Sequence, residues 1–384
     1  MRRALNLARR GLGWTSPNPA VGAVVVAPDG AVVGSGYHAA AGSAHAEVVA
    51  LRNAGLRARG ATLYVTLEPC CHVGRTPPCT EAVLRSGIAR VVTAMLDPDP
   101  RVAGRGVANL RRAGISVDVG LLGDQAGRLL EAYVHHRRTG LPFVTMKVAT
   151  TLDGKAATRA GDARWISGDD ARRLVHALRT EVDAVVVGIG TVLADDPLLT
   201  ARPAGPTTRA NRAPRQPLRV VVDSAARTPT AARVLAPVGN SRPPLIAVTS
   251  DAPASRVRAL EAAGAEVLRL PPGTDDRVDL QALASALGRR GIVHVLLEGG
   301  PTLSAAALAA GLVQKILIFV APRIVGGAAA PGPVGGDGVA RLADAIPIRE
   351  LVARRVGEDV LLKGYVVSPG GPARQMVAAA EANR

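Results

Sequence analysis

Residues 44–87, AHAEVVALRNAGLRARGATLYVTLEPCCHVGRTPPCTEAVLRSG, decide how the first part of the chain is read. AHAEVVALRNAG has a helical spacing of apolar residues and stops at Gly55, ATLYVTLEP is a run of strand length, and TEAVLRSG is a second short helix ending at Gly87. Upstream, VGAVVVAPDGAVVGSGYH (21–38) holds two β-branched runs about Pro28, Asp29 and Gly30, which predicts a hairpin. Ala4, Leu5 and Ala8 give residues 1 to 10 one apolar helical face, closed by Gly11 and Gly13. Downstream, IARVVTAML is a strand, NLRRAG a helix, ISVDV a strand, and LLEAYVHHRRTG a basic helix that leads out near Gly140. Helices alternating with strands in this way predict a partly parallel sheet covered by helices.

A second alternation begins with the strand LPFVTMKVAT and a helix whose start, SGDD, offers Ser167 as N-cap with Asp170 three residues on. The strand DAVVVGIG follows, then a surface loop rich in Pro and Arg over residues 201 to 217, since the strand LRVVVDS resumes directly after it. PLIAVTS, SRVRALEAAG, AEVLRL, DLQALASALGRRG, VHVLLEGG, PTLSAAALAAG and QKILIFV alternate again, and LVARRVGEDVLLKGYVV predicts a hairpin about Gly357. The expected organisation is one domain over residues 1–140, a second over 141–367, and a disordered tail over 368–384.

The composition narrows the class. The chain has 384 residues, 48% hydrophobic but only 2% aromatic, so two aliphatic cores are expected and general disorder is excluded. The net charge is +16, yet Lys147, Lys155, Lys315 and Lys363 are the only lysines, and the Arg excess goes with heavy Ala, Gly and Pro usage. That bias does not by itself make a nucleic-acid face. No run of 18 or more apolar residues occurs, and MRRALNLARRGLGW has too short an apolar stretch for a signal peptide, so a cytoplasmic protein with no membrane partner is expected.

The three cysteines, Cys70, Cys71 and Cys79, fall within ten positions, and such a cluster favours metal or catalysis over disulfides. His45 and Glu47 stand two apart at the front of a helix, and PCCHVGRTPPC follows one strand later. One imidazole and two thiolates hold Zn²⁺ with the fourth position open, where the pKa of bound water falls to about 7. A carboxylate beside the metal that does not ligate it can carry that water's proton to a departing amine, and Glu47 suits this role. Adjacent cysteines rarely both reach one tetrahedral ion, so Cys70, after the strand end and Pro69, and Cys79, at the next helix start where the dipole favours a thiolate, are chosen with His45. The competing reading is a closed structural site using Cys71 or His72 as well, which would have no use for Glu47.

H-x-E with P-C and a following Cys is the pattern of zinc nucleobase deaminases. Eight residues separate Cys70 from Cys79, a longer loop than in the nucleic-acid and nucleoside deaminases. Together with SPNPAVGAVV (16–25) and DPDPRVAGRGVANLRRAGISV from Asp97, this stretch resembles the deaminase half of the bifunctional riboflavin-biosynthesis deaminase/reductases. The resemblance implies that Asn18 contacts the pyrimidine, and that His72, Gly74, Arg75 and Thr76 surround the substrate with Arg75 near its phosphate. A guanidinium pairs bidentately with phosphate, although an exposed loop Arg can equally be a solvated charge. Cys71 stands where the family more usually has Ser, and the first helix is expected to be cut short at its start.

The second half has no G-x-G-x-x-G, since GIGTVL puts Leu193 where the third Gly belongs, so an ordinary Rossmann dinucleotide site is not expected. EGGPTLSAAAL offers another phosphate cradle, a strand running through Glu298, Gly299 and Gly300 into a helix at Pro301. VTMKVATTLDGKAAT (144–158), RWISGDDARRLVHALRTEVDAVVVGIGTVLADDPLLTAR (164–202), VVVDS (220–224) and EGGPTL resemble the reductase half of the same family. The resemblance implies a fold of cytidine-deaminase-like three-layer α/β/α type in the first domain and a dihydrofolate-reductase-like α/β domain after it. It also implies that Ala149, Trp165, Ser167, Thr191, Asp195, Ser224 and the run Gly300, Pro301, Thr302, Leu303, Ser304, Ala305 and Ala306 line an NADPH site. Arg179, Leu199, Arg202 and Glu298 would hold the substrate. Ala163 replaces a small polar residue of related chains.

Physical roles follow for several of these. Arg179 and Arg202 can neutralise a ribose phosphate, Ser224 with Arg227 beyond it can select a cofactor 2′-phosphate, and Lys147 and Asp153 flank a strand end where the lysine can polarise the carbonyl or iminium that receives hydride. Trp165 could equally be core, and Asp195 and Asp196 an N-cap or solvated turn before Pro197. The expected activity is zinc-dependent deamination of a phosphorylated diaminopyrimidinone, then NADPH-dependent reduction of its ribosyl chain. A nucleic-acid deaminase, or a zinc-stabilised scaffold, are the rival readings. The scarcity of aromatics argues against base stacking. A homo-oligomer is a further family expectation.

Overall fold

The computed structural model describes residues 1–73, 77–203, 214–239 and 241–367, and within them the chain forms two compact units, one from Met1 to Leu141 and one from Pro142 on. Arg75, with Gly74 and Thr76, and the expected tail from Ser368 lie outside the described residues.

The first unit runs α1 (Arg2–Arg9), β1 (Gly22–Val26), β2 (Val32–Tyr37), α2 (Ala46–Ala54), β3 (Thr62–Val65), α3 (Cys79–Arg85), β4 (Arg90–Thr93), α4 (Arg105–Arg112), β5 (Ser116–Val119), α5 (Gly123–Leu129) and α6 (Glu131–Thr139). Its sheet has the order β2-β1-β3-β4-β5, antiparallel in the hairpin and at β1–β3, parallel from β3 to β5. Glycines set the distance of the helices. A Cβ on Gly22 would collide with the Ala4 carbonyl of α1. On Gly34 or Gly36, which pair across the ladder with Val25 and Ala23 on the opposite face, it would collide with α2 at Ala50 or Val49. Helices therefore cover both faces in three layers: Leu5, Ala94 and Ala126 pack under α1 and α5, while Ala46, Ala50, Leu63, Val83 and Leu110 fill the other side.

The second unit runs β6 (Phe143–Thr151), α7 (Asp169–Glu181), β7 (Ala184–Gly188), α8 (Ile189–Asp195), β8 (Leu218–Val222), β9 (Leu245–Thr249), α9 (Ala254–Ala262), β10 (Glu266–Leu270), α10 (Leu280–Arg289), β11 (His294–Leu297), α11 (Pro301–Ala309), β12 (Val313–Ala321), β13 (Ile348–Val356) and β14 (Asp359–Val366). The sheet order is β10-β9-β8-β7-β11-β6-β12-β14-β13, parallel except for the β13–β14 hairpin and its pairing with β12. Strands buried on both faces read as unbroken Val, Leu and Ile runs, and they alternate as parallel strands should: Ala184 and Val186 face one core, Val185 and Val187 the other. The strand order is not that of a Rossmann sheet. Chain order runs outward from β7 to β10, then turns back to β11 on the other side of β7, and a crevice opens at the carboxyl ends where the direction reverses.

Local readings are corrected in three places. The N-cap of α7 is Gly168, not Ser167: Gly168 is extended, and its N–H donates to Asp359 Oδ2 at 2.8 Å. DAVVVGIG is a strand only to Gly188, after which α8 begins, and Asp195 and Asp196 close that helix instead of capping the start of one. Asp153 does not flank a site. Its carboxylate accepts from Thr151 Oγ1 (2.6 Å), Val325 N (3.1 Å) and Gly326 N (2.6 Å), which clamps two loops and holds the carboxyl down at about 2.

Candidate functional site

In the first unit two helix starts and one strand exit meet. His45 is the N-cap residue of α2, extended at φ −69° and ψ 159°, and Cys79 opens α3 directly after Pro78. Cys70 lies beyond β3 and caps α3 from outside: its sulfur accepts from Cys79 N at 3.3 Å and its carbonyl from Thr80 N at 3.2 Å. His45 Nδ1 lies 3.1 Å from Cys79 Sγ and 3.6 Å from Cys70 Sγ, and the three donor atoms all lie within 4.8 Å of one another. One nitrogen and two sulfurs so close suit a tetrahedral thiophilic ion, and among the described residues no fourth His, Cys, Asp or Glu completes the set. Cys71 turns away, its thiol directed at the Arg101 carbonyl at 3.8 Å.

The electrostatics fit the same reading. A hydrogen bond from Cys79, with help from His45, pulls the Cys70 thiol down to about 4 against its burial. Cys79, as the donor of that bond and a buried group, is pushed up. Glu47 sits in the first turn of α2, only 4% exposed, and burial first, then the Cys70 charge, pushes its carboxyl up to about 7.

His38, which the sequence reading passed over, ties the substrate side of this site together. It is 2% exposed, its ring lies edge-on to His45 at 5.2 Å, and burial pulls its pKa down. Nδ1–H donates to the Ala44 carbonyl at 3.1 Å, which leaves Nε2 to accept from Asn18 Nδ2 at 3.2 Å. Asn18 is thereby joined to the metal-ligand cluster through one buried ring. His72 is half-buried with Nδ1 lacking a partner. Glu68 supplies the scaffold: its carboxylate accepts from Asp97 N, Gly104 N and Val107 N at 2.9–3.1 Å and so pins the DPDPRVAGRG segment beside Cys70. A Cβ on Gly106 would strike the Pro69 carbonyl, so that approach needs glycine.

In the second unit a cleft of about 1890 Å³ opens at the carboxyl ends of β7, β8 and β11. It is lined by Lys147, Ala149, Trp165, Ser167, Arg179, Thr191, Asp195, Leu199, Arg202, Ser224, Glu298 and four residues from the start of α11 together with Ala306, all singled out from sequence. Ser304 and Ala305 are not among the lining residues, and Ser304 is fully buried in the core face of α11. Two helix N-termini, with N-caps Gly188 and Gly300, open onto the cleft, and a Cβ on Gly300 would come within 3.7 Å of Thr191 Oγ1. Paired amide ends at that spacing fit a pyrophosphate.

Trp165 is not core. It is 60% exposed, with the Arg172 guanidinium 4.8 Å from its ring, which makes it a flat wall of the cleft. Asp195 pairs with Arg164 at 3.3 Å, and Asp196 accepts from Arg233 N at 2.7 Å. Ser224 accepts from Val278 N at 3.0 Å and so holds the 272–278 turn, with Arg277, at the mouth. Deepest is a charged trio. Arg179 grips Glu298 with two bonds of 2.7 and 2.9 Å and donates a third to the Thr200 carbonyl at 3.0 Å. Burial alone would raise Glu298, but Arg179 and then Lys147 outweigh it and the net shift is down, while burial lowers Lys147. The lining residues that sequence reasoning missed include Arg172 and His176. They lie inside the quoted 164–202 stretch, but only the folded cleft shows that their side chains face it.

Comparison with known proteins adds the following. Residues 142–362 match the family model described as RibD C-terminal domain, and residues 1–95 match that of the cytidine and deoxycytidylate deaminase zinc-binding region. The riboflavin biosynthesis protein RibD of Escherichia coli (strain K12) is 42% identical over 367 residues, 94% of this chain and 97% of that protein, and RibD of Aquifex aeolicus is 42% identical over 362 residues. The solved structure of Acinetobacter baumannii RibD, form 2, superposes with a TM-score of 0.84 at 37% identity, covering 95% of this chain and 97% of that one. A Thermotoga maritima structure, a diaminohydroxyphosphoribosylaminopyrimidine deaminase/5-amino-6-(5-phosphoribosylamino)uracil reductase, superposes with a TM-score of 0.79 at 32% identity, covering 96% and 97%.

Proposed function

The chain belongs to the RibD family of riboflavin-biosynthesis proteins, and on that premise we propose how its residues divide the work. The family joins a zinc-dependent deaminase to a reductase, so the chain is a hydrolase and an oxidoreductase in one polypeptide acting on a small phosphorylated pyrimidine. Residues 1–140 form the deaminase and residues 141–367 the reductase. The first removes the ring amine of 2,5-diamino-6-ribosylamino-4(3H)-pyrimidinone 5′-phosphate, and the second reduces the ribosyl chain of the product to ribityl. The convergence of His45, Cys70 and Cys79 with the buried, non-ligating Glu47 beside them carries this reading.

A zinc ion held by His45, Cys70 and Cys79 supplies Lewis acidity that makes water a nucleophile near neutral pH. Glu47 takes the proton of the attacking water and passes it to the departing amine, and the raised pKa of a buried carboxyl is what that shuttle needs. His38 fixes the Asn18 amide with its Nδ2 turned to the imidazole, which leaves Oδ1 for the pyrimidine edge. His72 and Arg75 complete the substrate contacts.

NADPH supplies hydride to the second step. The N-termini of α8 and α11, with Thr191, Pro301, Thr302 and Leu303, would hold its pyrophosphate, and Ala149, Trp165, Ser167, Asp195 and Ser224 would line the rest of its site. Lys147 lies half-buried on the cleft wall near Glu298 and Arg179, where an ammonium polarises the double bond whose carbon accepts hydride. Leu199 and Arg202 hold the substrate's outer half.

The reading extends to cellular setting. Reduced thiolates suit the cytoplasm, and among the described residues no helix is long and apolar enough to cross a membrane. Trp165 is the one aromatic residue classed as exposed among them, and it belongs to the second unit, which weighs against base stacking by the first. A homo-oligomer is part of the proposal, with Leu351 and Val352 on the exposed edge strand β13 as its natural surface. The deciding experiment follows NADPH oxidation with the diamino substrate, with and without a zinc chelator. Oxidation should occur and stop on chelation, and return when the deaminated intermediate is supplied; oxidation indifferent to chelation with the diamino substrate would refute the order of steps.

A further inference from the structure

The cleft of the second unit contains a titratable group that the scheme above leaves idle. His176 lies on α7 one turn before Arg179, half-buried, and lines the same cleft as Arg202 and Glu298. Its Nδ1 is 3.2 Å from the Thr200 carbonyl and 3.4 Å from Arg202 N. A ring nitrogen cannot donate to one and accept from the other. A bare Nδ1 against a carbonyl would be repulsive, so Nδ1 carries the proton and donates to Thr200. That tautomer leaves Nε2 as the nitrogen that gains a proton when the ring becomes charged.

Arg179 is meanwhile committed. Three of its five donors are spent on Glu298 and Thr200, and its charge is balanced by a buried carboxylate. A phosphate dianion arriving there meets a neutral pair. Besides Arg179, the charged groups that face His176 are Arg202 from the 199–202 segment and Glu298 after β11, with Lys147 of β6 near Glu298 and Arg172 and Arg173 one turn back on its own helix. Before substrate binds, burial and then Arg179 and Arg202 hold His176 below its ordinary pKa.

We propose that His176 is a specificity residue of the reductase, the pH-responsive cation that joins Arg202 on the substrate's phosphate, while Arg179 serves to position and neutralise Glu298. This rests on the proposed function, in which a phosphorylated sugar enters the cleft. An arriving dianion favours the imidazolium, so binding draws one proton onto Nε2, and the benefit is felt at mildly acid pH and vanishes when the ring stays neutral.

The test is calorimetric titration of ribose 5-phosphate, with ribose as control, into the zinc-loaded full chain and into His176→Gln at pH 6.0 and pH 8.5. Gln keeps a donor for Thr200 and carries no charge. Because the ligand's own second ionisation, near pH 6, is common to both proteins, the ratio of their dissociation constants isolates His176. The expected ratio, variant over wild type, is about three- to eightfold at pH 6.0 and close to one at pH 8.5, as a gap of about one pKa unit between the free and phosphate-bound ring gives. In buffers of different ionisation enthalpy the wild type should take up more protons at pH 6.0 than the variant. An equal ratio at both pH values would reduce His176 to a tether of the Thr200 segment and overturn the proposal. Ribose 5-phosphate binding no tighter than ribose to the wild type would instead overturn the phosphate-accepting cleft itself, and His176 with it.

Discussion

The candidate metal centre of the first unit and the cleft of the second are both built where helices start, but they are assembled on different scales. His45 is the N-cap of one helix, Cys79 is the first residue of another, which Cys70 caps from outside, and the donors lie within 4.8 Å. The cleft draws residues from β6 to α11, and most of its wall is backbone and aliphatic surface. A metal site is written in residue types, because only thiolates and imidazoles in the right number will do. A cofactor cleft is written in shape, which many sequences satisfy. The first should therefore fail all at once when one residue changes, and the second by increments.

Cys79→Ser gives the largest expected effect and probes that contrast first. Zinc content by atomic absorption should fall from about one per chain to background and take deamination with it, while NADPH oxidation with the deaminated intermediate keeps its rate. If Cys71→Ser empties the site and Cys79→Ser does not, the ligand set is wrong.

Arg179→Met comes next and concerns stability in the second unit. It leaves Glu298 with only Lys147 to balance its charge, and removing one partner of a buried pair costs up to about 3–5 kcal/mol. The folded pKa of Glu298 is depressed, so the stabilisation is fully present above the unfolded carboxyl value of about 4.3 and is lost as pH falls through the folded one. Urea unfolding should then show a wide gap between wild type and variant at pH 7 that narrows below pH 4. A pH-independent gap would mean that packing of the arginine stem, not charge, is what was lost.

Gly36→Ala is smaller and confined to the first unit. The added Cβ meets Val49 of α2 at 2.6 Å, an overpacking expected to cost about 1–3 kcal/mol. The melting transition should drop with zinc still bound, since α2 shifts on the sheet while its His45 end is held by Cys70 and Cys79. An unchanged transition would show that α2 can slide away freely.

How much of this could be read in advance follows the same division. Strand and helix order was legible along nearly the whole chain, because long Val and Ala runs broken by glycine leave few alternatives. The short helix α8 was hidden inside DAVVVGIGTVL, where a β-rich run passes into a helix without a polar cap. At the metal centre His45, Glu47, Cys70 and Cys79 stood out by type and spacing. His38 did not, for a histidine that acts through one amide hydrogen bond carries no sequence pattern. Trp165 was ambiguous between core and surface, and only its 60% exposure beside Arg172 decides it. Asp153 and Ser304 show the reverse error: each lies in a segment with the right resemblance, yet one clamps a loop and the other faces the interior. His176 escaped notice because its neighbours Thr200 and Arg202 are distant in sequence.

The most direct measurement is zinc content and ammonia release from Glu47→Gln, taken on the same preparation. The glutamine should keep about one zinc per chain and a normal melting curve, lose deamination by 10²- to 10⁴-fold, and still oxidise NADPH when given the deaminated intermediate. Ammonia released at the wild-type rate by that protein would contradict a proton shuttle through Glu47.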